Sequence, residues 1–299
     1  MKSLGVRCFA KINRRLLVRD RRPDGFHELL LDFQTIALHD RLHVAPGEGF
    51  ELELSGPQSE GLSQEQNSVL AAARLLQDEL GRAVLPGARF RLEKHVPSAA
   101  GLGGGSSDAT GALLGLLEAT GARLPAERVH ALAAELGSDM AFFLEGGRRQ
   151  GTGRGELLEP LPEEPSRHLL LVLPPRRLST AEVFGTHAEL VEGGALTLRA
   201  SHDYFFPEGD WTARTEDRPW NDLWPAALKL APELAELDRV LRLAWPHADV
   251  GLSGSGPSLF ALGAIGPERP STRTSDLTWL ATRTVTETEC LARRFFTVE

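Results

Sequence analysis

Apolar and polar residues alternate with a period of two in some stretches of the chain and recur at helical spacing in others. "GVRCFAKINRRLLVRD" alternates roughly and predicts a strand; "LLLDFQTI", "DRLHV" and "FELELSG" predict three more. In "ARFRLEKHVP", Phe90, Leu92 and Val96 stand against Arg89, Arg91, Glu93 and His95, the pattern of a half-buried strand. "NSVLAAARLLQDELG" predicts a helix with Asn67 as N-cap and Gly81 as its stop. Ala109, Ala112, Leu113, Leu116 and Leu117 mark a second helix, and "PAERVHALAAELG" a third that ends at Gly137. "RRPDGFHEL" reads as a turn because Pro23, Asp24 and Gly25 are turn formers.

The second half opens with the strand "HLLLVLP", followed by "STAEVFGTH" with Ser and Thr in capping position. Residues 186–215 are poorly patterned and read as a long irregular insertion. "NDLWPAALKLAPELAELDRVLRLAW" is helical with proline punctuation, "ADVGLSGSGPSLFALG" is strand, glycine turn, strand, and "LTWLATRTVTE" predicts a last strand. The implied class is α+β, with two lobes, 1–155 and 156–299.

Composition narrows the chemistry. The chain has 299 residues, 41% of them hydrophobic and 25% charged, as in an ordinary globular protein. Its net charge of -8 argues against a general binder of nucleic acid or anionic membrane. Cys8 and Cys290 form no ligand cluster for a metal, and no apolar run approaches a membrane span. A cytoplasmic setting, with a small-molecule partner and a monomer or homodimer, is the expectation.

The densest chemistry lies in "VPSAAGLGGGSSDATGALLGLL", where a predicted strand passes through glycines into a helix start. No Lys precedes the serines, so this is not a Walker loop; nor does it complete G-x-G-x-x-G. Glycines nevertheless let backbone approach a ligand closely, and the first turn of a helix offers unpaired N–H groups and the positive end of its dipole. An anion cradle fits; a Ser-capped surface loop is the plain alternative. A side chain at Gly103 or Gly104 is expected to obstruct the phosphates. "GLSGSGPSLFAL" is a second glycine turn that also reads as a simple hairpin, and "QGTGRGELLEPL" is a third, which reads as a strand with glycine bulges.

The three glycine segments together resemble those of the GHMP kinases, the family of galactokinase, homoserine kinase, mevalonate kinase and phosphomevalonate kinase. "AKIN" (10–13), "RRPDGFHEL" (21–29), "GLGGGSSDA" (101–109), "ELGSDMAFFLEGG" (135–147) and "GTGRGELLEPL" (151–161) carry the resemblance in order. "DGFHEL" with "LGSDMAFFL" points, within the family, to a member acting on a cytidine diphosphate-linked methylerythritol in isoprenoid precursor synthesis. The resemblance implies a lobe like ribosomal protein S5 domain 2 followed by a ferredoxin-like lobe, with ATP and Mg2+ as cofactors and no protein metal ligands assigned.

By the same resemblance, Asp139 is the base that takes the proton of the acceptor alcohol, and Lys11 lowers the hydroxyl pKa and steadies developing charge. Pro97, Gly101, Leu102, Gly103, Gly104, Gly105, Ser106 and Ser107 bind the nucleotide phosphates, with Asn67 and Lys94 toward the adenosine. Asn13, Phe26, His27, Thr180 and Phe184 bind the acceptor, the aromatic faces stacking on a cytosine. Phe26 stands where relatives usually have Tyr. Arg14 and Arg15 follow "AKIN" where relatives stay apolar, which questions the strand register. Arg148 and Arg149 replace small residues and either reach the diphosphate or lie at the surface. A GHMP kinase for homoserine or mevalonate, and a non-catalytic sensor on this fold, are the competing readings.

Overall fold

The computed structural model describes residues 1–22, 25–196, 221–266 and 268–297. Most of the predicted insertion at 186–215 therefore lies outside the described residues, although its first residues belong to a helix. Among the described residues, two sheets form the framework.

The first sheet has seven strands. β1 (Leu4–Arg21) and β2 (His27–Pro46) pair antiparallel along most of their length. "LLLDFQTI" and "DRLHV" are thus one strand: Ala37, Leu38 and His39 between them stay in β2, and its pairing with β1 resumes across a bulge at Phe9–Lys11. β4 (Ala88–Glu93) pairs antiparallel with β2, and β3 (Phe50–Ser55) lies parallel to β4. β5 (Arg148–Thr152) pairs with β2, and β6 (Leu157–Pro160) with β5. The chain's last strand, β11 (Phe295–Phe296), returns to the free edge of β1. Both β6 and β11 come from beyond residue 155, so membership of the first sheet crosses that position.

Helices α1 (Ser68–Leu80), α2 (Gly104–Thr120) and α3 (Ala126–Leu136) pack with this sheet around a core that includes Val6, Leu42, Leu76, Leu113 and Leu132. Helix α1 begins and ends as its sequence predicts: Asn67 Oδ1 accepts from the Val69 amide at 3.0 Å, and Gly81 caps the other end. Helix α2 lies close on β1 because Gly111 has no side chain there; a Cβ would stand 2.4 Å from Cys8 Sγ. α4 (Met140–Glu145) follows α3 almost at once.

The second sheet runs β10 (Thr278–Arg283), β7 (His168–Leu173), β9 (Leu259–Gly263), β8 (Ala248–Leu252), all neighbours antiparallel. In chain order that is 4-1-3-2, the arrangement of a ferredoxin-like lobe. α5 (Thr180–Glu192), α6 (Trp224–Leu230) and α7 (Glu233–Ala244) connect β7 to β8, and Pro232 interrupts α6 from α7. The C-terminal α8 (Glu287–Arg293) leads back to β11.

Apolar side chains from both sheets interlock. Ile12 and Ile36 of the first sheet share a cluster with Leu169, Leu171 and Phe260 of the second. Leu16 and Phe33 share another with Val172, Leu234 and Leu252. Such continuous burial fixes the two lobes together, and the cleft opens where it ends.

Candidate active site

Three glycine segments and one short helix meet around a cleft of about 440 Å³. Its lining comes from β1 (Lys11, Asn13), from residues 97–106, from Ser138 and Asp139, from the β5–β6 turn (Arg154), from α5 (Thr180, Phe184) and from the β8–β9 turn (Gly254, Ser255).

The first wall is the loop into α2. Gly103 adopts a left-handed φ of 71°, turns the chain, and leaves the helix without a side-chain cap. The amides of its first turn therefore stay open at the positive end of a seventeen-residue helix beside the cleft. Gly101 lies against the second glycine turn: a Cβ would meet the Ser253 carbonyl at 2.1 Å, and the Ser253 hydroxyl donates to the Gly101 carbonyl at 2.8 Å. Buried Asn221 supports that turn, donating to the carbonyls of Leu252 (2.9 Å) and Gly254 (2.7 Å). Thr180 reaches the same turn, its hydroxyl 3.0 Å from that of Ser255.

The floor carries the charge. Lys11 is buried, yet its Nζ stands 3.5 Å from Asp139 Oδ2 and bonds to Asn13 Oδ1. Asp139 occupies the cap position of α4, but its side chain caps nothing and remains 31% exposed. The carboxylate is thus free to accept a bond from a ligand.

At one end of the cleft, the lining residue Phe184 stacks on His27 behind it, ring centroids 5.9 Å apart. Burial, and then Arg21, hold the His27 imidazole below its usual pKa, so it stays neutral. Phe26 does not line the cleft itself. It is 54% exposed, with the Arg154 guanidinium 4.9 Å over its ring, so it is not a core residue.

Lys11, Asp139, Asn13, Thr180, Phe184, Pro97, Gly101 and the residues from Leu102 to Ser106 are thus brought together. Several expectations turn out otherwise. Lys94 is sealed between Asp40 and Asp108, bonding to both, with its Nζ 2.6 Å from Asp108 Oδ2. Burial alone would lower its pKa; the two carboxylates more than offset that and raise it. Asn67 spends its side-chain oxygen on capping α1. The Ser107 hydroxyl points inward and donates to the Phe9 carbonyl at 2.7 Å. Neither Gly103 nor Gly104 faces the cleft with its missing side chain. A Cβ on Gly103 would meet the Phe143 ring at 2.6 Å, and one on Gly104 would meet Val96 at 3.0 Å.

The four arginines neither reach the cleft nor lie free at the surface. Arg148 donates to Asp32 through two nitrogens (3.2 and 2.8 Å) and pairs with Glu164; Arg14 pairs with Glu164 at 3.1 Å. Arg149 bonds to Glu287 at 2.8 Å and pairs with Glu145 at 2.7 Å, and Arg15 is buried. The register question at Arg14 resolves in a bulge: the β1–β2 pairing shifts between Asn13 and Arg15, so strict alternation ends there.

Arg154, Ser138, Gly254 and Ser255 lie in segments the sequence marked without being assigned to the site, and the supporting Asn221 heads a stretch read only as helical. Arg154 sat inside "GTGRGE", which is a tight β5–β6 turn rather than a bulged strand. A lone Arg between glycines was the available signal.

The GHMP kinases N terminal domain matches residues 67–147. The chain is 36% identical to the 4-diphosphocytidyl-2-C-methyl-D-erythritol kinase of Synechococcus elongatus, over 98% of this chain and 100% of the relative. It is 40% identical to the enzyme of that name from Rhizobium johnstonii, over 88% of this chain and 85% of the relative. A crystal structure of 4-(cytidine 5'-diphospho)-2C-methyl-D-erythritol kinase superposes with a TM-score of 0.71 at 32% identity, covering 94% of this chain and 98% of that one.

Proposed function

The chain belongs to the 4-diphosphocytidyl-2-C-methyl-D-erythritol kinases, within the GHMP kinases, and we propose that its cleft performs their reaction through Lys11 and Asp139. The protein is an ATP-dependent kinase that phosphorylates the 2-hydroxyl of 4-diphosphocytidyl-2-C-methyl-D-erythritol in isoprenoid precursor synthesis.

The observation that carries the residue assignment is the Lys11–Asp139 pair, 3.5 Å apart, in one cleft with an uncapped helix start. Phosphoryl transfer passes through a loose transition state, so catalysis rests on positioning and on charge stabilisation. The phosphates of ATP lie along residues 101–106, where backbone amides and the α2 dipole receive negative charge. The acceptor hydroxyl lies between Asp139 and Lys11. Asp139 takes its proton as the oxygen attacks the γ-phosphorus and the bond to the β–γ bridging oxygen breaks, releasing ADP, and the Lys11 ammonium stabilises charge gathering on the transferred group. Asn13, bonded to Lys11 Nζ, holds that ammonium in place.

The cytosine rests at the His27–Phe184 end, where neutral His27 offers a bond to the base edge and Phe26 covers it. The buried environment of Lys94 argues for a supporting role behind the nucleotide loop. Mg2+ fits the donor set of the cleft, which offers hydroxyl and carboxylate oxygens suited to a hard cation carried on phosphates. Ser106 would help to hold such an ion, which would supply charge neutralisation to the phosphates. Among the described residues no helix is long and apolar enough to cross a membrane, and both cysteines are free and buried, which supports a place in the reducing cytoplasm.

The test is phosphate transfer from labelled ATP to three acceptors. The cytidine diphosphate-linked alcohol should be phosphorylated at a rate at least a hundredfold above homoserine and mevalonate. Comparable rates on either plain alcohol would overturn the acceptor assignment, and no transfer to any would favour a sensor.

A further inference from the structure

The proposed acceptor carries a diphosphate between its base and its reacting alcohol, and no residue considered so far binds it. Among the described residues the cleft lining holds two basic side chains, Lys11 and Arg154. Lys11 is committed to Asp139 and Asn13 at the reacting end. Arg154 stands toward the other end, its guanidinium 4.9 Å over Phe26. Its ion pair with Glu156 is long, at 3.8 Å, and its side chain is 34% exposed.

The turn that carries Arg154 is held rigidly. The Gly153 amide donates to Glu28 Oε1 at 2.7 Å, and the Leu29 amide donates to the Gly153 carbonyl at 2.7 Å. The Arg154 amide itself donates to Glu156 Oε2 at 2.6 Å. Glu28 and Leu29 follow His27 directly on β2, so the segment that bears the base platform also anchors the guanidinium. The three-nitrogen fork of an arginine matches neighbouring phosphate oxygens better than one distant carboxylate.

We propose that Arg154 binds the diphosphate of the acceptor, and so sets the distance between the base platform at Phe26 and His27 and the reacting hydroxyl at Lys11 and Asp139. The inference rests on the acceptor reading given above. It makes Arg154 a specificity residue for a nucleoside diphosphate-linked alcohol over a nucleoside or a plain alcohol.

Calorimetric binding of CDP and of cytidine to the whole protein tests it, alongside KM for ATP and for the acceptor. Wild-type protein should bind CDP more tightly than cytidine. Arg154→Gln should erase most of that difference and raise the acceptor KM by roughly ten- to a hundredfold, the scale of lost bonds to a charged group. Its KM for ATP should stay within about twofold, which also shows that the variant is folded. Arg154→Lys, which keeps the charge and loses the fork, should fall between. A preference for CDP that survives in Arg154→Gln would overturn the inference and leave the acceptor reading intact. An ATP KM raised as much as the acceptor KM would instead place Arg154 on the nucleotide side. Wild-type protein that does not bind CDP would overturn both.

Discussion

Two lysines flank the same pair of glycines in different surroundings. A side chain on Gly103 would touch Lys11 Cγ at 3.1 Å, and one on Gly104 would touch Lys94 Nζ at 3.4 Å. Both lysines are nearly inaccessible to solvent. Lys11 faces a carboxylate that is 31% exposed at the cleft, whereas Lys94 faces two that are buried with it. Lys94 also completes a scaffold: Asp40 Oδ1 accepts from the amides of His95 (2.5 Å) and Val96 (2.8 Å), and Asp108 belongs to α2. The triad thereby ties β2, the end of β4 and the helix start behind the glycine loop. Equally near the loop, the two lysines differ in whether a ligand can reach their carboxylate partners.

The contrast breaks most sharply at Lys94. Lys94→Met leaves the buried Asp40 carboxylate and Asp108 carboxyl without their cation, and should destabilise the protein by about 3–5 kcal/mol, the usual cost of removing one partner of a buried ion pair. Denaturant unfolding measures it. A loss below about 1 kcal/mol, with a large fall in ATP affinity, would move Lys94 to the ligand side of the comparison.

On the cleft side, Phe26→Ala should raise the acceptor KM by about tenfold, since stacking on a base is worth about 1–3 kcal/mol. Stability should hold, because Phe26 is 54% exposed. Steady-state kinetics with the melting temperature decide it; an unchanged acceptor KM would remove Phe26 from the base platform.

A smaller effect sharpens the sealed side. Burial, and then the Asp40 charge, push the Asp108 carboxyl up to about 8. The folded protein therefore keeps a proton there that the unfolded chain releases near pH 4. The stabilisation from that proton is full below the unfolded pKa and is lost as pH rises through about 8. Burial lowers the pKa of His27, His39, His43 and His187, so their contribution falls at acid pH, and it raises the Cys8 and Cys290 thiols, whose contribution falls at more alkaline pH; the window from 7 to 8 lies between them. Across it, wild-type stability should decline by about 1 kcal/mol per pH unit at most. Asp108→Asn, which has no proton to lose, should show a flatter profile. Equal slopes in the two proteins would contradict the assignment.

What the sequence revealed follows from what periodicity records. It reports which face of an element is buried, so α1 with its Asn67 cap, the helix after the glycine loop and the β8–β9 hairpin were all legible. It does not report partners. Lys94 has the same alternating neighbours whether it meets a nucleotide or two aspartates from β2 and α2. Arg148 and Arg149 read as diphosphate ligands or as surface because, Glu145 apart, their carboxylate partners Asp32, Glu164 and Glu287 lie between 16 and 138 residues away in sequence. The bulge at Asn13–Arg15 breaks the period that would have located it. Strand β11 is two residues long, too short to show any period. Lys11 and Asp139 were legible only through the family resemblance, since a strand lysine and a post-glycine aspartate are commonplace alone.

The central claim is that Asp139 accepts the proton of the acceptor alcohol beside Lys11. The most direct measurement is the single-turnover rate of phosphoryl transfer in Asp139→Asn, with ATP and the cytidine diphosphate-linked acceptor both saturating. The side chain caps no helix and is partly exposed, so melting temperature and ATP affinity should stay close to wild type. The transfer rate should fall by roughly 10²–10⁴, the scale of a lost general base. A rate within a few-fold of wild type, in a variant that binds both ligands, would contradict the account.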